Sequence, residues 1–287
     1  RAACRAGVMA ARAPRSPSAL AAFVLHRYDW SESSLILDLY TREQGRLAVA
    51  AKGAKRPYSQ LRAVLLPFQR INVTLGRAPE GEAAEVQSLR GAEWAGGPPM
   101  LIGAALFSGF YLNELLMKLV ARHDPHPQLF DAYAETLGAL AEADDRRSRR
   151  SGLPTEREDP PAGRDDLRTE AALRAFELTL LKEIGLLPDL SLSTQTQQPV
   201  VEDRRYTLLA DTGVGDARAT SDPGLSGSAL VGLQAALEHG SLPALRQACA
   251  AALPELKGLL RAQLHYHLGS SVLRTRRVMV EAQNLEP

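Results

Sequence analysis

Residues 21–94 hold five short β-prone runs divided by turns, and that pattern limits the fold more than any other feature of the chain. AAFVLHRY (21–28) is the first run, and SLILDLYT (34–41) the second, its apolar residues alternating around Asp38. The turn EQG (43–45) leads into RLAVAA (46–51); QRINVTLG (69–76) and AEVQSLRGAEW (84–94) complete the set. Alternation with a period of two marks strands with one buried face. So few strands, within about 75 residues, leave unpaired edges unless the sheet closes, so the expectation is a small five-stranded Greek-key barrel.

GGPP (96–99) is a break, and the pattern changes after it. MLIGAALFSGFYLNELLMKLVAR (100–122) is apolar at helical spacing on nearly every face, which predicts a central, buried helix. QLFDAYAETLGALAEA (128–143) predicts an amphipathic second helix, and TEAALRAFELTLLKEIG (169–185) a third ending near Gly185. RRYTLLADTG (204–213) reads as a hairpin, and three further helices follow between residues 226 and 269. Between the second and third helices, residues 144–166 are charged, contain Pro and Gly, and include Leu153 alone among large apolar side chains; they read as a flexible insertion. The expected architecture is α+β: a leader at 1–19, a barrel domain at 20–96, an α-helical domain at 97–280 and a tail at 281–287. The leader is Ala/Arg-rich without an apolar h-region and does not read as a secretory signal; Met9 is an alternative start.

Charge is distributed unevenly along this chain. Lys+Arg number 34 against 33 Asp+Glu, a formal net charge of +1, yet no acid occurs between Gln44 and Pro79. That window carries Arg46, Lys52, Lys55, Arg56, Arg62, Arg70 and Arg77. A local basic field survives near-neutrality, and a phosphate backbone is a natural partner because its neutralisation releases counterions. Aromatic residues make up only 5% of the chain, yet Tyr28, Trp30, Tyr40, Tyr58 and Phe68 flank this segment. Bases of any sequence stack on aromatic faces while cations track the backbone. Tyr58, within KRPYSQ, is the best stacking candidate; Tyr40 and Phe68 read as barrel core.

Patterns for catalysis are lacking. No phosphate-binding G-x-x-x-x-G-K-[ST] occurs, and Gly213-Val-Gly215 is not followed by the rest of a dinucleotide fingerprint. HDPH (123–126) has the donors of a metal chelate, but a polar turn ending a helix is the commoner reading. His265 and His267 are two apart on a predicted helix and point to different faces. No Cys or Ser sits in a pattern that specifies a nucleophile. Two cysteines, Cys4 and Cys249, supply no disulfide framework and suit a reducing compartment. No apolar run is long enough to span a bilayer.

The residues at 22–68, LFSGFYLNELLMKL (106–119) and ALRAFELTLLKEIG (172–185) resemble the bacterial RecO recombination mediators. Strand–WSESS–strand, G-R-L-x-x-x-A-K-G, L-x-P-F and Y-L-N-E-L-L occur in the family's order. The resemblance implies an N-terminal OB fold and a helical C-terminal domain. It also implies a non-enzymatic, cytoplasmic, nucleoid-associated protein without cofactor that binds single- and double-stranded DNA and anneals complementary strands. Help in loading the RecA recombinase onto strands coated with single-strand-binding protein (SSB), together with RecR and sometimes RecF, is implied as well. The family's basic DNA-binding positions match Lys52, Lys55 and Arg62 here; Arg56 is added from charge alone.

The family's helical domain receives the acidic, apolar SSB tail, and Arg174 matches a basic residue used there. Arg174, Leu178 and Lys182 succeed one another at four-residue spacing and so share a helix face. Many family members carry a four-cysteine zinc site after this helix. In this chain LSLSTQTQQPVVEDRRY (190–206) has no cysteine, which excludes a thiolate site there. A protein-docking adaptor with little DNA affinity of its own is the competing function.

Overall fold

The structure is a computed structural model that describes residues 19–76, 86–151, 163–217, 224–269, 273–275 and 277–278. The leader up to residue 18, Arg77, the middle of the expected insertion and the tail lie outside the described residues.

The five runs form strands β1 (Leu20–Asp29), β2 (Leu35–Thr41), β3 (Gly45–Ala51), β4 (Arg70–Leu75) and β5 (Val86–Trp94). They close in the order β1-β2-β3-β5-β4, with β3 and β5 parallel and the other pairs antiparallel. Alternation sorts the side chains. Ala22, Val24, Leu37, Leu39, Leu47, Val49, Ile71 and Val73 fill the barrel, and Ala54 and Leu65 from the β3–β4 connection join them.

The opposite faces of β1 and β2 are largely buried too, apolar apart from Asp38, and a second domain covers them. Phe23, Leu25 and Tyr40 belong to the core of the helices. Phe23 packs its ring 5.2 Å from Phe130 and 5.0 Å from Tyr133, and Tyr40 lies 5.6 Å from Phe130. Phe68 joins the same core, 5.1 Å from Phe110. Tyr40 and Phe68 are thus buried, but outside the barrel, which corrects their expected place. Phe68 holds a positive φ of 66° to get there. Gly109 admits it, since a Cβ at that position would stand 2.9 Å from the Phe68 ring.

The helical domain contains α2 (Gly103–Leu119), α3 (Pro127–Ser151), α4 (Gly163–Glu183), α5 (Gly227–His239), α6 (Leu242–Ala251) and α7 (Leu253–Leu268); a short α1 (Leu61–Val64) lies in the barrel. Ser226 and Ser241 cap α5 and α6 by accepting from Ala229 N and Ala244 N. The expected hairpin is present as β6 (Arg205–Leu209) and β7 (Gly213–Asp216), with the short β8 (Leu225–Ser226) on the other edge of β6. Among the described residues no helix is long and apolar enough to cross a membrane.

The insertion expected at 144–166 needs correction. Its first part continues α3 to Ser151, and α4 already begins at Gly163. Charge patterning explains the difference: Arg149 pairs with Asp145 one turn back, Arg147 with Asp166, and Arg146 lies 3.3 Å from the buried Asp165. Interleaved charges that resemble a solvated linker here stitch two antiparallel helix ends together.

Two polar devices lock barrel to helices. Arg46 on β3 is buried, and its guanidinium meets the buried Asp38 at 3.3 Å. Its NH1 donates to the carbonyls of Met117 at 2.6 Å and Val120 at 2.7 Å, at the C-terminal end of α2. A cation there also suits the helix dipole. Asn113, 2% exposed in the middle of α2, donates to the Leu25 carbonyl at 2.9 Å and accepts from the Tyr133 hydroxyl.

The HDPH turn is part of the same seam. His123 N donates to the Arg46 carbonyl, the Tyr40 hydroxyl to the His126 carbonyl, and Gly45 packs so closely on Asp124 that a Cβ would lie 2.1 Å from its carbonyl oxygen. The His126 ring lies 3.2 Å from Asp124 Oδ2 and 3.7 Å from Glu183 Oε2. In the cysteine-free loop, Thr194 accepts from Val214 N through Oγ1 and donates from its own N to the Val214 carbonyl. A threonine clasp therefore holds this loop to β7.

Candidate nucleic-acid interface

The site begins with an irregularity in β1. The β1–β2 register shifts between Val24 and His26, leaving Leu25 as an extra residue. Such a bulge re-aims every later side chain. Beyond it Arg27 pairs with Leu37 and Asp29 with Leu35, residues of the barrel interior, so Arg27 and Asp29 come to the mouth of the barrel. Leu25 loses its place in the ladder, and Asn113 takes its carbonyl.

The basic connection folds over this mouth. Gly53 N donates to the Ser34 hydroxyl and Lys55 N to the Ser33 carbonyl, so the SS of WSESS anchors the start of the loop. Gly53 takes a φ of 73°, which glycine adopts without strain. Turns follow, with Arg56 N bonded to the Gly53 carbonyl and Ser59 N to the Arg56 carbonyl, and α1 carries Arg62 in its last turn. Ala54 and Leu65 drop into the barrel as plugs, which forces the polar residues between them outward.

The result is a groove of about 470 Å³ with an apolar floor of Leu35, Ala54 and Leu65. Arg27, Lys55 and Arg62 line it, with Asp29 as its one acid. Arg27 NH1 donates to the Leu65 carbonyl at 3.3 Å. Lys55 Nζ lies 3.0 Å from both Asp29 Oδ1 and the Ser31 carbonyl. Lys52, Arg56 and Arg62 are exposed and, among the described residues, have no ion-pair partner. Tyr58 is 97% exposed beside them. On the outer face of the β1 end, Tyr28 packs its ring 4.4 Å from His26, and Trp30 is 57% exposed.

The structure therefore brings Lys55 and Arg62 together at the groove and adds Arg27, which sequence reasoning missed; Lys52, Arg56 and Tyr58 are exposed on the same connection. An arginine on a strand carries no signal until the bulge is known. Two other candidates need correction. Arg46 is buried in its pairing with Asp38 and the end of α2 and presents nothing to a phosphate. Arg70 is exposed but stands opposite Phe23, four residues up β1 from Arg27 and thus about 13 Å away at strand rise, outside the groove.

The expected partner-tail face also fails as drawn. Leu178 is fully buried in the helical core. Arg174 turns inward to the buried Glu177 at 2.8 Å, and Lys182 Nζ donates to the Leu237 carbonyl at 2.6 Å. Glu170, one turn from Arg174, pairs with Lys257 instead. Four-residue spacing places these three on one face, but Leu178 on it is buried, Arg174 is turned to Glu177, and Lys182 alone is exposed.

Comparison with known proteins agrees with this architecture. The family models described as "Recombination protein O N terminal" and "Recombination protein O C terminal" match residues 18–96 and 103–150. A DNA repair protein RecO from Polaromonas naphthalenivorans is 49% identical over 265 residues, covering 92% of this chain and 96% of the relative. One from Acidovorax ebreus is 45% identical over 269 residues, with the same coverage. A closed five-stranded barrel sealed onto a helical domain, matched along nearly its whole length by such relatives, belongs to the RecO family.

Proposed function

We propose that this chain is a non-enzymatic DNA-binding mediator of recombinational repair whose barrel mouth holds the nucleic acid. The observation that carries this reading is the apolar-floored groove lined by Arg27, Lys55 and Arg62, on a connection that also exposes Lys52, Arg56 and Tyr58 and whose Lys52, Arg56 and Arg62 have no ion-pair partner among the described residues. Cations at the rim neutralise phosphates, and the tyrosine offers a face to a base without selecting its identity. A site of this kind takes single strands and, through phosphates alone, duplexes. By lowering repulsion between two strands while leaving base edges open, it favours annealing. On SSB-coated strands, working with RecR and sometimes RecF, the same activity would prepare DNA for RecA.

Lys52→Ala combined with Lys55→Ala and Arg62→Ala is expected to weaken single-strand binding roughly ten- to a hundredfold at moderate salt. The slope of log affinity against log salt should flatten by about 2, since each lost phosphate contact on a single strand removes about 0.7. Fluorescence anisotropy with labelled oligonucleotides across a salt series reads both. Unchanged affinity and slope in a folded triple variant would move the function to the docking-adaptor alternative. A second expectation concerns metal: with a threonine clasp in place of thiolates, elemental analysis should find no stoichiometric zinc, and chelator should leave annealing unchanged.

A further inference from the structure

The segment that supplies the groove's cations contains no acid, yet the groove does. Asp29 arrives from a different element, and only because the bulge at Leu25 turns it to the barrel mouth. It is 80% exposed at the side chain, so it is not there to satisfy a buried group, and its carboxylate lies 3.0 Å from Lys55 Nζ. Arg27 and Arg62 line the same groove. A carboxylate in this position presents to Lys55 the oxygens that a phosphate would otherwise present.

We propose that Asp29 is a resident competitor for phosphate: it occupies Lys55 in the empty site, is displaced when a strand enters, and recaptures the lysine as the strand leaves. The proposal rests on the DNA reading above and deepens it. An annealing protein must release its product, and a site of unopposed cations would hold the duplex. An intramolecular carboxylate lowers affinity for any sequence equally and accelerates departure, without a conformational change. The Ser31 carbonyl, also 3.0 Å from Nζ, keeps the lysine at the groove while it exchanges partners.

The test compares Asp29→Asn, Lys55→Ala and the double variant in the full chain, using a labelled single-stranded oligonucleotide. Exposed ion pairs are modest, so Asp29→Asn should bind about two- to fivefold tighter at low salt. The salt slope should stay nearly unchanged, because Lys55 meets a phosphate in both complexes once Asp29 is displaced. Dissociation measured by stopped flow should slow, and release of annealed duplex should slow with it. In the Lys55→Ala background the substitution should gain much less.

Weaker binding by Asp29→Asn would show that the carboxylate merely positions Lys55 and would overturn the proposal. An equal gain with and without Lys55 would show a general charge effect and overturn it too. The control is Lys52→Ala with Arg62→Ala. If that variant binds normally, the DNA reading fails and the Asp29 proposal with it. If it binds poorly while Asp29→Asn gains nothing, only the Asp29 proposal falls.

Discussion

Arg46→Ala is expected to lower the unfolding free energy by about 3–5 kcal/mol, the range for removing one partner of a buried charge pair. The side chain is 8% exposed and serves a carboxylate and a helix end at once. Its removal leaves the carbonyls of Met117 and Val120 without their donor and strips Asp38, itself 2% exposed, of one of its two cations. Arg122 still reaches Asp38 Oδ2 at 3.1 Å, but from a side chain 43% exposed, and it does not reach the helix end in its place. Arg46→Lys should recover little, because one ammonium cannot span a carboxylate and a helix terminus as a planar fork does. Urea denaturation followed by circular dichroism measures the loss. A change below about 1 kcal/mol, the scale of an exposed pair, would return Arg46 to the surface and to consideration as a DNA contact.

The second large effect is expected at Arg174, with a dependence on pH that identifies its cause. Burial pushes the Glu177 carboxyl above the ordinary glutamate range; Arg174, the Tyr111 hydroxyl at 2.7 Å and Arg261 pull it back down. Between the unfolded pKa and this raised one, the unfolded chain has released a proton that the native chain retains. Stability therefore falls as pH rises through that window. Arg174→Ala removes the strongest downward pull and widens the window. At pH 8 it should cost about 3–5 kcal/mol, because the buried Glu177 loses its nearest cation and keeps only the Tyr111 hydroxyl and Arg261. Near pH 5 the cost should shrink, because the protonated acid tolerates burial. Adding Glu177→Gln should abolish most of the pH dependence. Denaturation at the two pH values decides the matter, and a loss independent of pH would place the role of Arg174 in packing instead. DNA affinity of the folded variant should be unaltered, since Arg174 lies in the helical domain, away from the barrel mouth.

The legible parts of this molecule were those written in short-range periodicity. Alternation around Asp38 defines β2, and the density of apolar residues at 100–122 defines α2. The acid-free loop declares its charge without any structure. What was not legible depends on which side of an element faces which domain. Tyr40 and Phe68 are apolar at positions a barrel core accepts, and only the presence of Phe110, Phe130 and Tyr133 reassigns them. Arg46 and Arg62 look alike as letters in one basic window; a helix end lies beside the first and open solvent beside the second. Arg174, Leu178 and Lys182 have the spacing of a shared face, but spacing does not say whether that face is covered. Arg27 and Asp29 were hidden by one extra residue, since a period of two places them on the wrong side of β1.

That extra residue also determines what kind of object the barrel is. The Leu25 bulge aims the groove, and its stray carbonyl is held by Asn113, a side chain of the helical domain. The N-terminal domain thus carries its working surface in a posture set by a splint it does not own. Cut at the domain boundary, it would keep every cation of the loop while losing the splint, the Arg46 anchor and the cover over Phe23 and Tyr40. The two halves behave as a tool and its handle forged in one piece, and a liberated barrel would be a poor stand-in for the site it contains.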